Sequence, residues 1–178
     1  MTVPSSSKLL RQHAERHADE VIASDGISRL PIDPSLIAKK RDITVAANRG
    51  KSAGVSGCLM KVGDHFGIGY STRIDNQGFI NFTIAHELGH YFLPGHVSYL
   101  FGGNEIHLSH AGFVSDDSYE KEADFFAAAL LMPKNLFTAA LQKAGDGFPA
   151  ISTLANNAKH RSPRRQFVIR SLPMFRLP

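Results

Sequence analysis

The stretch FTIAHELGHYFLPGH, residues 82–96, sets two imidazoles one helical turn apart inside an apolar run. His86 and His90, at i and i+4, fall on one helix face, close enough to hold a single ion. Phe82, Ile84, Ala85, Leu88 and Phe92 surround them, so this helix must also pack against a core. A buried imidazole or carboxylate left without a partner costs about 1–3 kcal/mol or more. The chain must therefore close a core around a polar helix, and either hydrogen bonds or a metal must satisfy that helix.

Glu87 lies about 100° round the helix from His86. It cannot easily ligate beside the histidines, but it can reach a water on the ion, the general-base position of H-E-x-x-H. Zinc in such a site lowers the pKa of its water toward about 7. The glutamate can take that proton during attack on a carbonyl and return it to the leaving amine.

Two residues compete to be the third ligand. His96 falls at the eleventh position of H-E-x-x-H-x-x-G-x-x-H, the long metzincin signature. That signature needs glycine at the eighth position, and here it is Leu93, with Pro94-Gly95 turning the chain late. The other candidate is Glu120 in SYEKEADFFAAALLMP, residues 118–133. Asp124, one turn further on the same face, can accept the second N–H of a ligating histidine and orient its ring. This E-x-x-x-D arrangement is how gluzincins supply their third ligand, and it favours Glu120 over an ordinary helix N-terminal acid or over His96. Glu122, about 200° from Glu120, is expected to face solvent. Ala123, Phe126, Ala127, Leu130 and Leu131 form the apolar stripe of that helix.

Elsewhere the periodicity predicts a helix over 7–24. Its His13 and His17 form another i, i+4 pair, but with no local acid or cysteine to complete a site they read as solvated. A short helix over 34–40, a strand over 43–47 and a hairpin turning at Gly63-Asp64 follow. Asn81 or Thr83 is expected to cap the H-E-x-x-H helix, and Pro94-Gly95 to end it. Residues 97–118 read as a long irregular loop, of the kind that is functional or mobile. His107 and His110 within it are candidates for stabilising a transition-state oxyanion, or are simply surface histidines. Helices are then expected over 117–132, 134–144 and from 150 to 158.

Length and charge narrow the class. At 178 residues, with 43% hydrophobic and 20% charged content, the chain suits one globular domain. No window approaches the 18 or so apolar residues of a membrane span, and the N-terminus lacks a signal-peptide pattern. Cys58 stands alone, so no internal disulfide forms, which fits a reducing cytoplasm. The net charge is +4, yet residues 159–178 carry six basic residues and no acidic one, leaving −2 for residues 1–158. A basic tail can touch nucleic acid or be solvated.

FTIAHELGHYF followed by YEKEADFFAAALLMP resembles the ImmA/IrrE-type zinc metallopeptidases, over roughly residues 30–158. The resemblance implies His86, His90 and Glu120 as metal ligands and Glu87 as catalytic base. It implies an α+β, zincin-like domain with a small twisted β-sheet packed on the active-site helix and several further helices. The ion would be Zn²⁺, though Mn²⁺ or Fe²⁺ also suits a His₂Glu set. The family's members cleave repressors bearing helix-turn-helix domains, in stress responses and in toxin–antitoxin-like pairs. The expected partner is therefore a protein substrate of that kind, in the cytoplasm, without membrane or direct nucleic-acid binding. A peptide is expected to add a strand at the sheet edge, near 66–70. The alternative reading is an impaired zinc-binding module that binds a repressor without cleaving it.

Three regions follow: an N-terminal helical segment at 1–29, the metallopeptidase domain at 30–158 and an atypical basic tail at 159–178. In the tail, HRSPRRQFVIRSLPMFRLP replaces the expected helical pattern T-S-x-x-A-x-x-x-R. Permitted codons from Lys159 onward, read from their third base, encode T-S-L-T-A-T-A-I-R. The expectation is a frameshift near residue 159 that replaces the native C-terminal part and makes the basic charge an accident. The gene's nucleotide sequence tests this directly.

Overall fold

A computed structural model describes residues 6–48, 54–110 and 116–144. The expected helix over 150–158 and the tail over 159–178 lie outside these residues. The chain begins with α1 (Ser6–Ser24) and α2 (Pro34–Lys39). Asp33 caps α2 by accepting from the Ser35 amide at 2.9 Å, with Pro34 preset for the first turn. Three strands follow, β1 (Thr44–Asn48), β2 (Val55–Val62) and β3 (His65–Ser71). Gly63 and Asp64 make the two-residue turn between β2 and β3, pairing Val62 with His65.

The H-E-x-x-H helix, α3 (Gln77–Phe92), starts earlier than its apolar residues suggest. Its cap is Asn76, whose side chain accepts from the Phe79 amide at 3.1 Å, rather than Asn81 or Thr83. The turn-like Asp-Asn-Gln-Gly is thus the helix entrance. Residues 97–118, expected as one irregular loop, contain α4 (His96–Leu100) and β4 (Ile106–His110). Then come α5 (Ser118–Leu131), capped by Asp117 onto the Tyr119 amide at 2.8 Å, and α6 (Lys134–Ala144).

The four strands form one mixed sheet in the order β1-β3-β2-β4. β1 runs parallel to β3, while β2 is antiparallel to both β3 and β4. The sheet edges are therefore β1 and β4. Residues 66–70 lie on β3, hydrogen-bonded on both sides, and cannot receive a further strand; that expectation is corrected by the parallel return of β1.

One core joins all layers. Ala14, Ala18 and Val21 of α1, Ile37 of α2, Leu59 and Ile68 of the sheet, Ile84 and Leu88 of α3, and Phe126 and Leu130 of α5 share it. Helix α1 packs along α5, and α5 along α3, so α5 is covered on two sides. Among the described residues no helix is long and apolar enough to cross a membrane.

Candidate metal centre

Helix α3 is buried continuously from Thr83 to His90, because the sheet covers one side and α5 the other. Two glycines make these approaches possible. A Cβ on Gly57 of β2 would lie 2.4 Å from Thr83 Cγ2 and 2.7 Å from Glu87 Oε1. A Cβ on Gly89 would lie 3.1 Å from Ala123 Cα and 3.2 Å from the Ala123 carbonyl oxygen, so α3 and α5 touch almost backbone to backbone. That contact is what brings Glu120 of α5 to the histidines of α3.

The result is a tight group of donors. His86 Nε2 and His90 Nε2 are 3.1 Å apart. Glu120 Oε2 lies 3.2 Å from His86 Nε2, and Glu120 Oε1 lies 3.4 Å from His90 Nε2. Ligands at zinc-like distances in tetrahedral geometry stand about 3.3 Å apart, which these separations approach. One atom from each of His86, His90 and Glu120 lies within 4.8 Å of the others. No other such group occurs among the described residues, and His96 is not in it.

Asp124 accepts from His86 Nδ1 at 2.9 Å, leaving Nε2 to face the centre. Burial alone would lower the His86 pKa, but the hydrogen bonds to Asp124 and Glu120 override it and raise it to about 10. Burial dominates at His90, which is held down to about 4. Glu120 is also penalised by burial, yet contacts with His107, His86 and His90 hold its carboxyl well below the usual range. The centre thus favours positive charge between a carboxylate and imidazoles.

Glu87 is 0% exposed, and neither carboxylate oxygen meets a donor in full hydrogen-bond geometry, although the buried Ser109 hydroxyl is near enough to pull its pKa down. Burial pushes its pKa up to about 7, against the pull of His86. A buried carboxylate without donors is costly. A hydrated ion held by His86, His90 and Glu120 would supply the missing donor, so the donor set and the orphaned carboxylate both fit a metal.

His107 and His110, expected together, part company. Alternation along β4 turns His107 and Ser109 toward α3 and leaves Leu108 and His110 exposed. His107 Nε2 sits 3.0 Å from Glu120 Oε1, with its ring 4.8 Å from that of His90. His110 lies on the opposite face of the strand and does not reach the centre.

Three other expectations change. Glu122 is only 8% exposed rather than solvated, because the far side of α5 meets α1 instead of water. His96 is fully buried, with Nδ1 3.0 Å from His90 Nδ1 and Nε2 3.2 Å from Glu122 Oε2. His13, expected as a solvated residue, pairs through Nδ1 with Glu122 Oε1, and its Nε2 lies 3.1 Å from His17 Nε2. Sequence reasoning missed this set. The available signal was a second i, i+4 histidine pair on an amphipathic helix, which wants an acid from elsewhere in the fold.

Compared with models of protein families, residues 67–149 match the one described as the IrrE N-terminal-like domain, just under half of the 178 residues. No curated protein matches the sequence significantly.

Proposed function

We propose, from the match of residues 67–149 to the IrrE N-terminal-like domain, that this chain is an ImmA/IrrE-type, zinc-dependent endopeptidase acting on one specific protein in the cytoplasm. The substrate is a transcriptional repressor or antitoxin bearing a helix-turn-helix domain. The observation that carries the reading is the convergence of His86, His90 and Glu120 beside the buried, donor-poor carboxylate of Glu87.

His86 and His90 from α3 and Glu120 from α5 would hold the ion. When bound, zinc polarises the scissile carbonyl and acidifies the attacking water. Asp124 fixes the tautomer of His86, so that Nε2 offers its lone pair. Glu87, with a pKa near neutrality, takes the proton of the attacking water and returns it to the leaving amine. His107, on the rim beside Glu120, donates Nε2–H to the developing oxyanion. Strand β4 pairs with β2 on one side, and its other edge suits an extended peptide laid alongside, with backbone hydrogen bonds setting the register.

The test uses the zinc-loaded protein and its Glu87→Gln variant, each incubated with the product of a neighbouring repressor gene. Cleavage by the first and none by the second is expected. An intact repressor with both, although each binds it, would instead support a binding module that does not cleave.

A further inference from the structure

His86 and His90 are oriented by different means. His86 uses one carboxylate, Asp124. His90 faces another imidazole: its Nδ1 is 3.0 Å from Nδ1 of His96, on the first residue of α4. With Nε2 turned to the metal centre, His90 must carry its proton on Nδ1 and donate. His96 must then accept at Nδ1 and hold its own proton on Nε2, since a neutral imidazole has one donor and one acceptor. The opposite tautomer of His96 would set two N–H groups against each other.

Something has to select the right tautomer, and Glu122 is placed to do so. Its Oε2 lies 3.2 Å from His96 Nε2 and accepts that proton. Its Oε1 accepts from His13 Nδ1 of α1. His13 Nε2 can then accept from His17 Nε2–H at 3.1 Å, and His17 Nδ1 lies 2.9 Å from Glu20 at the surface. One assignment of protons satisfies His90, His96, Glu122 and His13, with Glu122 receiving from both sides.

We propose that His96, Glu122 and His13 form a relay that positions His90, so that α1 is a working part of the metal centre although it lies outside residues 67–149. The inference rests on reading His86, His90 and Glu120 as the ligands. These relay residues act through His90 and touch neither ion nor substrate. α5 thereby serves the centre from two faces, with Glu120 and Asp124 toward α3 and Glu122 toward α1.

The experiment measures Zn²⁺ affinity of the full chain by competition with a chromophoric chelator, and the visible spectrum of the Co²⁺-loaded protein. Losing such an outer partner lowers metal affinity about 10–100-fold. That loss is expected for His96→Phe and Glu122→Ala, together with an altered Co²⁺ band, and a smaller loss for His13→Ala. Glu122→Gln keeps an acceptor for His96 and should recover most of the affinity. His96→Gln offers a carbonyl toward His90 and an amide toward Glu122, so it should bind better than His96→Phe. It also serves if His96→Phe does not fold. Circular dichroism of the metal-free proteins establishes folding. Wild-type affinity and spectrum in folded His96 and Glu122 variants, while Glu120→Ala loses the metal, would overturn the relay. Unchanged binding by Glu120→Ala would overturn the ligand assignment instead.

Discussion

Replacing Gly57 by alanine tests how closely the sheet must approach α3. The new methyl would meet Thr83 Cγ2 at 2.4 Å, Glu87 Oε1 at 2.7 Å and the Gly69 carbonyl oxygen at 3.3 Å. None of these neighbours is free to yield: Thr83 and Glu87 are buried on α3, and Gly69 is held in the ladder opposite Cys58. Overpacking of this kind costs about 1–3 kcal/mol, against about 0.4–1 kcal/mol gained by restricting the unfolded chain. With two contacts below 3.0 Å the upper part of the range applies, so a net loss of about 2 kcal/mol is expected. For a chain of this size that is a fall in Tm of about 4–8 °C. Thermal unfolding of the metal-free protein, followed by circular dichroism, reads it. Thr83→Ser removes the Cγ2 methyl and by itself should cost about 0.5–1.5 kcal/mol. In the double variant the 2.4 Å clash is gone, and the two losses should add to less than their sum by about 0.5–3 kcal/mol. The contact with Glu87 remains, so peptidase activity should stay low even as stability returns. A Gly57→Ala protein that melts with the wild type, or strict additivity in the double variant, would refute the reasoning.

Gly89→Leu should push Ala123 and Phe126 away and carry Glu120 from the histidines; equilibrium dialysis with Zn²⁺ should show at least a tenfold weaker site, the loss that removing only a ligand's hydrogen-bond partner already brings. His107→Ala should lower kcat by about 10²-fold, the usual cost of an oxyanion donor, whereas His110→Ala on the other strand face should leave kcat and KM unchanged. Chelation should lower Tm, because free metal at about a thousand times its Kd stabilises the native state by about 4 kcal/mol. Burial, with help from the charge of Glu87, raises the Cys58 pKa, so little thiolate exists near neutral pH. Alkylation of Cys58 in the native protein should be slow, and should speed up on unfolding in urea.

The elements legible in the sequence are those with local signals. The hairpin turn at Gly63-Asp64, the stripe of α5 and the apolar surroundings of His86 and His90 all lie within a few residues of one another. Strand β4 was not legible, and its function is the reason. Its inward residues, His107 and Ser109, are polar because they line the centre, while Leu108 points outward. The period-2 apolar signal is therefore inverted, and the segment reads as a loop. The relay failed to show for another reason. Glu122 looked solvated on a helix taken as having one covered face, and only the tertiary packing of α1 reveals a second. Asn76 was hidden because Gln77 and Gly78 are weaker helix signals than the run that follows them.

The two helices that carry the metal donors join at a distance as well as at Gly89. His90 and Glu120 are separated by about thirty residues, which include α4 and β4. A bound ion would close that stretch into a ring, much as a disulfide does. A cross-link over a loop of this size removes chain entropy worth about 3–4 kcal/mol from the unfolded ensemble. Seen this way, the metal is also a clasp for the edge strand beside it. Loading should therefore slow amide exchange in α4 and β4 more than in α1 or β1, tying the order of that edge to the supply of metal.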